Sequence, residues 1–419
     1  MKRSTFILLV TATLNGSLPC RAQAPADPPF EALPTLSATT ILQPQYLQGP
    51  NFTVRNPVPT AAGSNHYFID SDFGTFEADG NAMLIRRVAE INGIAQLKAI
   101  SKTDEFTQAA AQAAVVPLGA AKDLVTDPVQ TISSVPRGIW GFLNRAGQSV
   151  KGVADGAPRN PEQGGAVSNM VGFSKTKRDL AIKLGVDPYT DNDVFQKELS
   201  KVAWPAFLGK FVVSTGLGAI SGGVGTALSA INWSTALSAA LVDKSPADLR
   251  LMNLGLLMNN MGVAREDADA FLYNGAISPT TQTVLVAALN KLGNIPGQAD
   301  FIRAAATSQD EHDALGFMQS VQIMAKLNET TPVASVMHVQ GLPLCQLANG
   351  TVVVAIQWDY AAWNPMVAKF LTALQAQKFP TPPAGYSVVL TGVVSPATAQ
   401  ALAARNIKVV TKALTTPLN

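Results

Sequence analysis

The sequence predicts an α+β fold with a predominantly helical body, a small N-terminal β-hairpin and a C-terminal α/β module. Three observations carry that prediction. From Lys175 to Leu327 apolar residues recur at helical spacing between well-marked helix starts. His66 to Asp70 and Phe73 to Glu77 read as short strands about Ser71-Asp72. Beyond Val333, β-branched runs alternate with helical stretches, the pattern of a strand–helix–strand crossover.

The first residues have the layout of an export signal, expected over 1–24. Lys2 and Arg3 form a positive start, Thr5 to Leu14 is apolar and uncharged, and Asn15, Gly16, Ser17 and Pro19 break the run. The run is too short to span a bilayer. Cleavage is expected after Ala22 or Ala24, which places the mature chain in the periplasm or outside the cell. Pro19 stands where a lipidated cysteine needs a small residue, so Cys20 is not expected to carry a lipid anchor.

Removing that segment resets charge and redox expectations. The whole chain has 31 Lys+Arg against 29 Asp+Glu, and losing Lys2, Arg3 and Arg21 brings the mature chain to about −1. A near-neutral protein lacks the basic footprint of a nucleic-acid binder. Cys345 remains as the single cysteine, so stability must come from packing rather than a disulfide framework. With 47% hydrophobic and 14% charged residues, apolar material is ample.

Residues 25–60 are rich in Pro, Thr and Ala and read as an extended arm. The hairpin and kinked amphipathic helices are expected over 61–153. Met83, Leu84, Val88, Ile91, Ile94 and Ala95 predict a helix from about Asn81 to Ile100. The stretch from Phe106 to Val150 keeps helical spacing, with Pro128 and Pro136 expected to kink it. The Gly/Pro/Asn-rich run within 154–174 predicts a flexible loop.

A helical domain is expected over 175–330. Its starts are Asp191 or Asn192, Ser245-Pro246, Ser278-Pro279, and Ser308 with Glu311 as a capping box. The α/β module fills 331–419. Strands are predicted at Val333–Val339, Leu342–Leu347 and Thr351–Trp358, with Asn349-Gly350 expected as a type I′ turn. A helix from about Asn364 to Gln377, a strand Tyr386–Thr391, a helix Pro396–Arg405 and a strand Ile407–Thr411 complete it.

Chemistry-bearing constellations are sparse. Phe211 to Val242 runs 32 residues without a charge and includes Gly216, Gly218, Gly222, Gly223 and Gly225. A buried helix pair is the preferred reading, ahead of a membrane hairpin and a nucleotide loop. Arg137 and Arg145 flank Ile139, Trp140, Phe142 and Leu143, a composition suited to an interfacial helix. Those six are the candidate contact with an anionic membrane surface or another envelope protein.

Trp358, Asp359, Tyr360 and Trp363 sit where a strand hands over to a helix, and are candidate ligand-stacking residues or, more simply, core with a capping Asp. Asp187, Asp191 and Glu198 approximate a calcium-loop spacing but read more cheaply as carboxylates at a helix start. His66, His312 and His338 show no ligand spacing, and Glu311-His312-Asp313 reads as a solvated helix face. Ser174-x-x-Lys177 matches one element of a Ser/Lys acyl-transfer set without the others. Neither a metal nor a cofactor is expected.

Several stretches resemble a group of exported bacterial proteins of no assigned function. They are Ser71-Asp72-Phe73-Gly74-Thr75-Phe76, EINGIAQLKAISK from Glu90, DPVQTISSVPRGI from Asp127, LGVDPYTDNDVFQKELSKVAW from Leu184 and LTGVVSPATAQALAARNIKVV from Leu390. The resemblance implies export and one shared architecture, and carries no catalytic residue. Together these readings predict an exported, envelope-associated structural or interaction protein, leaning against an enzyme. The alternative is a hydrolase with a cleft between the helical body and the C-terminal module.

Overall fold

A computed structural model describes residues 27–114, 171–213, 235–339, 341–379 and 381–419. The fold is α+β, as the alternation of patterns requires. Residues 25–60 were expected as an extended arm; from 35 onward they are instead strands and single helical turns. β1 (Thr35–Leu36), β2 (Gln48–Gly49), β3 (Phe52–Val54) and β4 (Val58–Ala61) join β5 (Ser64–Ser71) and β6 (Gly74–Asp79) in one antiparallel sheet. The turns α1 (Ala38–Ile41) and α2 (Pro44–Leu47) bridge β1 and β2. Pro44 takes the first position of α2 and Pro50 lies in the turn before β3, while Pro59 lies within β4 opposite Thr35 of the two-residue strand β1.

β5 organises this sheet. It pairs with β6 along one edge, and with β4 and then β3 along the other. Tyr67 and Ile69 point from β5 into the core. A two-residue turn, Ala62-Gly63, links β4 to β5 with both residues at positive φ. That is the primed geometry whose twist matches a hairpin.

α3 (Asn81–Ile100) follows the hairpin and presents Leu84, Val88, Ile91, Ile94 and Leu97 to the interior. α4 (Asp104–Ala114), α5 (Val171–Lys183) and α6 (Asp193–Phe207) pack beside it around Phe173, Phe195 and Leu199. The helical body continues through α7 (Thr235–Asp243), α8 (Pro246–Gly255), a π-turn (Leu256–Asn260), α9 (Arg265–Leu272), α10 (Pro279–Asn290), α11 (Gln298–Ala305) and α12 (Glu311–Asn328).

Helix starts follow their caps. Asn192, Ser245 and Ser278 each accept from the third backbone amide beyond, an arrangement contributing about 1 kcal/mol. The capping box lies at Ser245/Asp248. The one expected at Ser308/Glu311 is absent: Asp310 caps α12, and Glu311 is drawn to Arg86.

The C-terminal sheet runs β13–β11–β9–β8–β7, with β7 (Val333–Val339), β8 (Leu342–Leu347), β9 (Thr351–Ile356), β11 (Gly385–Leu390) and β13 (Ile407–Val410). β7, β8 and β9 are antiparallel neighbours. β9, β11 and β13 are parallel, joined through α13 (Pro365–Ala376) and α14 (Pro396–Ala404). β10 (Tyr360–Ala361) and β12 (Val393–Val394) form a short parallel extension.

Both faces of this sheet are covered, which explains its nearly continuous apolar strands. Leu344, Val352 and Val354 meet α13 and α14. Cys345, Val353 and Ala355 join Phe317, Met318 and Val321 of α12 in the main core. Asn349-Gly350 does not form the expected type I′ turn. The loop holds three residues with only Gly350 at positive φ, and Asn349 Oδ1 accepts from Thr351 N–H. The tail returns to the N-terminal region, where Gln43 N–H donates to Pro417 O and Asn419 N–H to Ile41 O.

Candidate functional site

The sequence nominated the turn after β9, and the structure places it at the meeting point of three parts of the fold. Trp358 is 8%, Asp359 1% and Trp363 0% exposed, while Tyr360 is half-buried. These four form no open stacking platform. The turn is held by backbone: Asp359 and Tyr360 N–H donate to Gly63 O, and Val393 N–H donates to Asp359 O. Gly392 permits that approach, because a Cβ there would lie 2.1 Å from Asp359 O.

The Asp359 carboxylate caps a helix, though not the one following it. α13 is capped by Asn364, whereas Asp359 Oδ2 accepts from Asn65 N–H and Asn81 N–H, each at 3.0 Å. Asn81 opens α3 behind Gly80, which has no side chain to cap with, so Asp359 supplies the missing acceptor across the fold. Burial pushes the Asp359 pKa up to about 6, while the two amides, the His312 imidazole and the Gln357 side chain pull it down. Its Oδ1 makes no regular hydrogen bond to any described residue, and neither do Trp358 Nε1 and Asn81 Nδ2.

A polar layer surrounds the carboxylate. Thr60 Oγ1 donates to Asn65 Oδ1 at 2.9 Å, Asn65 Nδ2 to Tyr67 Oη at 3.0 Å, and Tyr67 Oη to Asn81 Oδ1 at 2.5 Å. Burial drives the Tyr67 hydroxyl well above its ordinary pKa, so it stays a donor. Ser64 Oγ lies 3.2 Å from His312 Nε2. Nearby, His66 Nδ1 pairs with Asp79, whose hydrogen bond raises the imidazole pKa.

Ser64 and His312 stand 248 residues apart, and sequence reasoning missed the pair. The available signals were a Ser directly after a tight turn and a His between two acids. A hydroxyl within reach of an imidazole is the first requirement of a hydrolytic nucleophile. Space is the second, and it is scarce. The void beside His312, Gly316, Gln357 and Trp358 measures about 20 Å³, room for one water and not for an acyl group.

Glu311-His312-Asp313 is not the solvated face that neighbour spacing suggested. Glu311 Oε1 accepts from the buried Arg86 at 2.6 Å, His312 faces Ser64, and Asp313 is buried. Arg86 also reaches Thr281 Oγ1 and lies 3.8 Å from Asp187, whose Oδ1 accepts from Thr280 Oγ1 and Tyr189 N–H. Desolvation raises the Asp187 pKa against the pull of Arg86. Asp191 pairs with Arg87, and Glu198 with Lys98 and Lys201, so the calcium-like spacing serves ion pairs. Among the described residues no His/Cys/Asp/Glu group has a metal-holding arrangement.

The remaining nominated residues are scattered. Ser174 and Lys177 lie buried on α5. Cys345 faces the core, where burial pushes its thiol up to about 12. Arg137, Ile139, Trp140, Phe142, Leu143 and Arg145 lie outside the described residues, as does most of the uncharged run from 211 to 242. Among the described residues no helix is long and apolar enough to cross a membrane. An open depression between α7 and α8 is lined by Ala236, Ala239, Asp243, Lys244, Asp248 and Leu251. Comparison with protein-family models, with curated proteins and with solved structures finds no match for this chain.

Proposed function

We propose that this is an exported, envelope-associated structural or interaction protein. One observation supports the reading above the others: among the described residues, the groups best suited to chemistry are buried and engaged in joining the parts of the fold. Asp359 caps α3, Ser64 meets His312 on α12, and the adjoining void holds about one water. The export component rests on the signal-like first residues, and the partner component on Arg137, Ile139, Trp140, Phe142, Leu143 and Arg145 as a contact for anionic lipid or an envelope protein. Fractionation of cells with mass measurement of the mature N-terminus tests the first. Flotation with anionic liposomes tests the second. Intact protein in the cytosol would end the export reading, and protein left wholly in the soluble layer would end the lipid one.

The second reading is a hydrolase with Ser64 as nucleophile and His312 as base, favoured by their 3.2 Å separation. It requires the junction between the helical body and the C-terminal module to open. Fluorophosphonate labelling of the native protein separates the two. An adduct at Ser64 that disappears in H312Q would replace the structural reading with the enzymatic one.

A further inference from the structure

The first described residues are fastened to the C-terminal module by a dense set of contacts. Arg405 grips Asp27 through both nitrogens of its fork, at 2.5 and 2.7 Å. The same guanidinium sits over the Trp363 ring, 5.3 Å from its centroid. Trp363 Nε1 donates to Pro28 O, and Phe30 packs on the indole with ring centroids 5.9 Å apart. Glu31 N–H donates to Trp363 O, while Glu31 Oε2 accepts from Trp363 N–H and Ser395 Oγ. Ser395 is the cap of α14, so the Glu31 carboxylate also lies at the positive end of that helix.

These contacts have the form of a receptor and a ligand. The receptor is Trp363, Ser395 and Arg405, all set by the C-terminal module. The ligand is an extended five-residue segment, acid–Pro–Pro–aromatic–acid, in which two prolines limit the freedom lost on docking. Phe30 remains 55% exposed, and Leu33 in the connection to β1 is also exposed. Asp27 is 42% and the Arg405 side chain 19% exposed, so water reaches this ion pair as the segment lifts.

We propose that Trp363, Ser395 and Arg405 form a recognition groove for an extended acid–aromatic–acid peptide, filled in cis by residues 27–31, and that the same segment of a second copy is its intermolecular occupant. The identical contacts are available to either strap, which makes exchange an inexpensive route to association. In a single chain the tether supplies an effective concentration of about millimolar, so the cis arrangement dominates in dilute solution. The inference deepens the interaction reading, and its test does not involve Ser64 labelling.

Two full-length variants make the test. R405M breaks the groove and frees an intact strap, whereas D27N/E31Q disables the strap and leaves the groove open. Each alone should sediment as a monomer, and their mixture should contain a 1:1 heterodimer. A synthetic peptide of residues 25–34 should bind D27N/E31Q about tenfold more tightly than the wild type, and dissolve the heterodimer when in excess. R405K keeps the cation without the fork and should yield less heterodimer than R405M. Circular dichroism confirms that each chain is folded. A folded mixture that sediments as the sum of its separate components, or a dimer that ignores the peptide, overturns the proposal.

Discussion

Replacing Asp359 by Asn should stabilise the protein near neutral pH and leave it unchanged in mild acid. The carboxylate is buried, accepts two backbone amides and has a pKa raised from 3.8 to about 6. Below 3.8 both folded and unfolded chains hold the proton. Between 3.8 and about 6 the folded chain keeps a proton that the unfolded chain has lost, so stability falls as pH rises through that window. Above it the full cost of the buried charge is present, about 3 kcal/mol for a shift of this size. Asn is nearly isosteric, carries no charge and still offers an oxygen to both amides. Urea melts of wild type and D359N should therefore agree near pH 4 and diverge by up to about 3 kcal/mol near pH 7, with the variant more stable. A difference that stays constant across the window, or a variant weaker at neutral pH, would refute the reasoning.

Other residues give sharper signs. G392A places a methyl carbon 2.1 Å from Asp359 O, and should lower stability by about 3 kcal/mol or prevent folding, read by thermal melting. R86M leaves the buried Asp187 and the part-buried Glu311 without their cation and should cost about 3 kcal/mol in chemical denaturation. D79N removes the acid that raises the His66 pKa; the His66 ring proton titration in NMR should move to lower pH, and no movement would exclude that pairing. Cys345 should ignore a thiol reagent at mildly alkaline pH until denaturant is added.

Much of the fold was legible where local chemistry decides it. Ser245-Pro246, Ser278-Pro279 and Ser395-Pro396 mark helix starts because a hydroxyl accepts an orphan amide and proline has none to lose. The β5/β6 hairpin and the strands and helices of the C-terminal module were readable for the same reason. The strands before Ala61 were not, since two- to four-residue segments carry almost no periodicity; β3 and β4 pair with β5, and β2 and β1 with them in turn. Ser308/Glu311 misled because a distant cation, Arg86, outbid the local cap. The Asp359 junction was half visible. Its aromatic and acidic residues stand together in sequence, but Ser64, Asn65, Asn81 and His312 reach it only through the tertiary fold.

The reach of Asp359 also sets an order on how this chain can mature. The first amide of α3 finds its acceptor 278 positions further along, so the junction between the opening sheet, its helix and the C-terminal module is completed only after that module has been made. Until residue 359 has emerged, the N-terminal sheet and α3 lack that cap, worth about 1 kcal/mol, and the two amides that close on Gly63 O. Truncations that stop before 359 lose both that cap and the strands and helices that complete the C-terminal sheet, and should melt well below the whole chain.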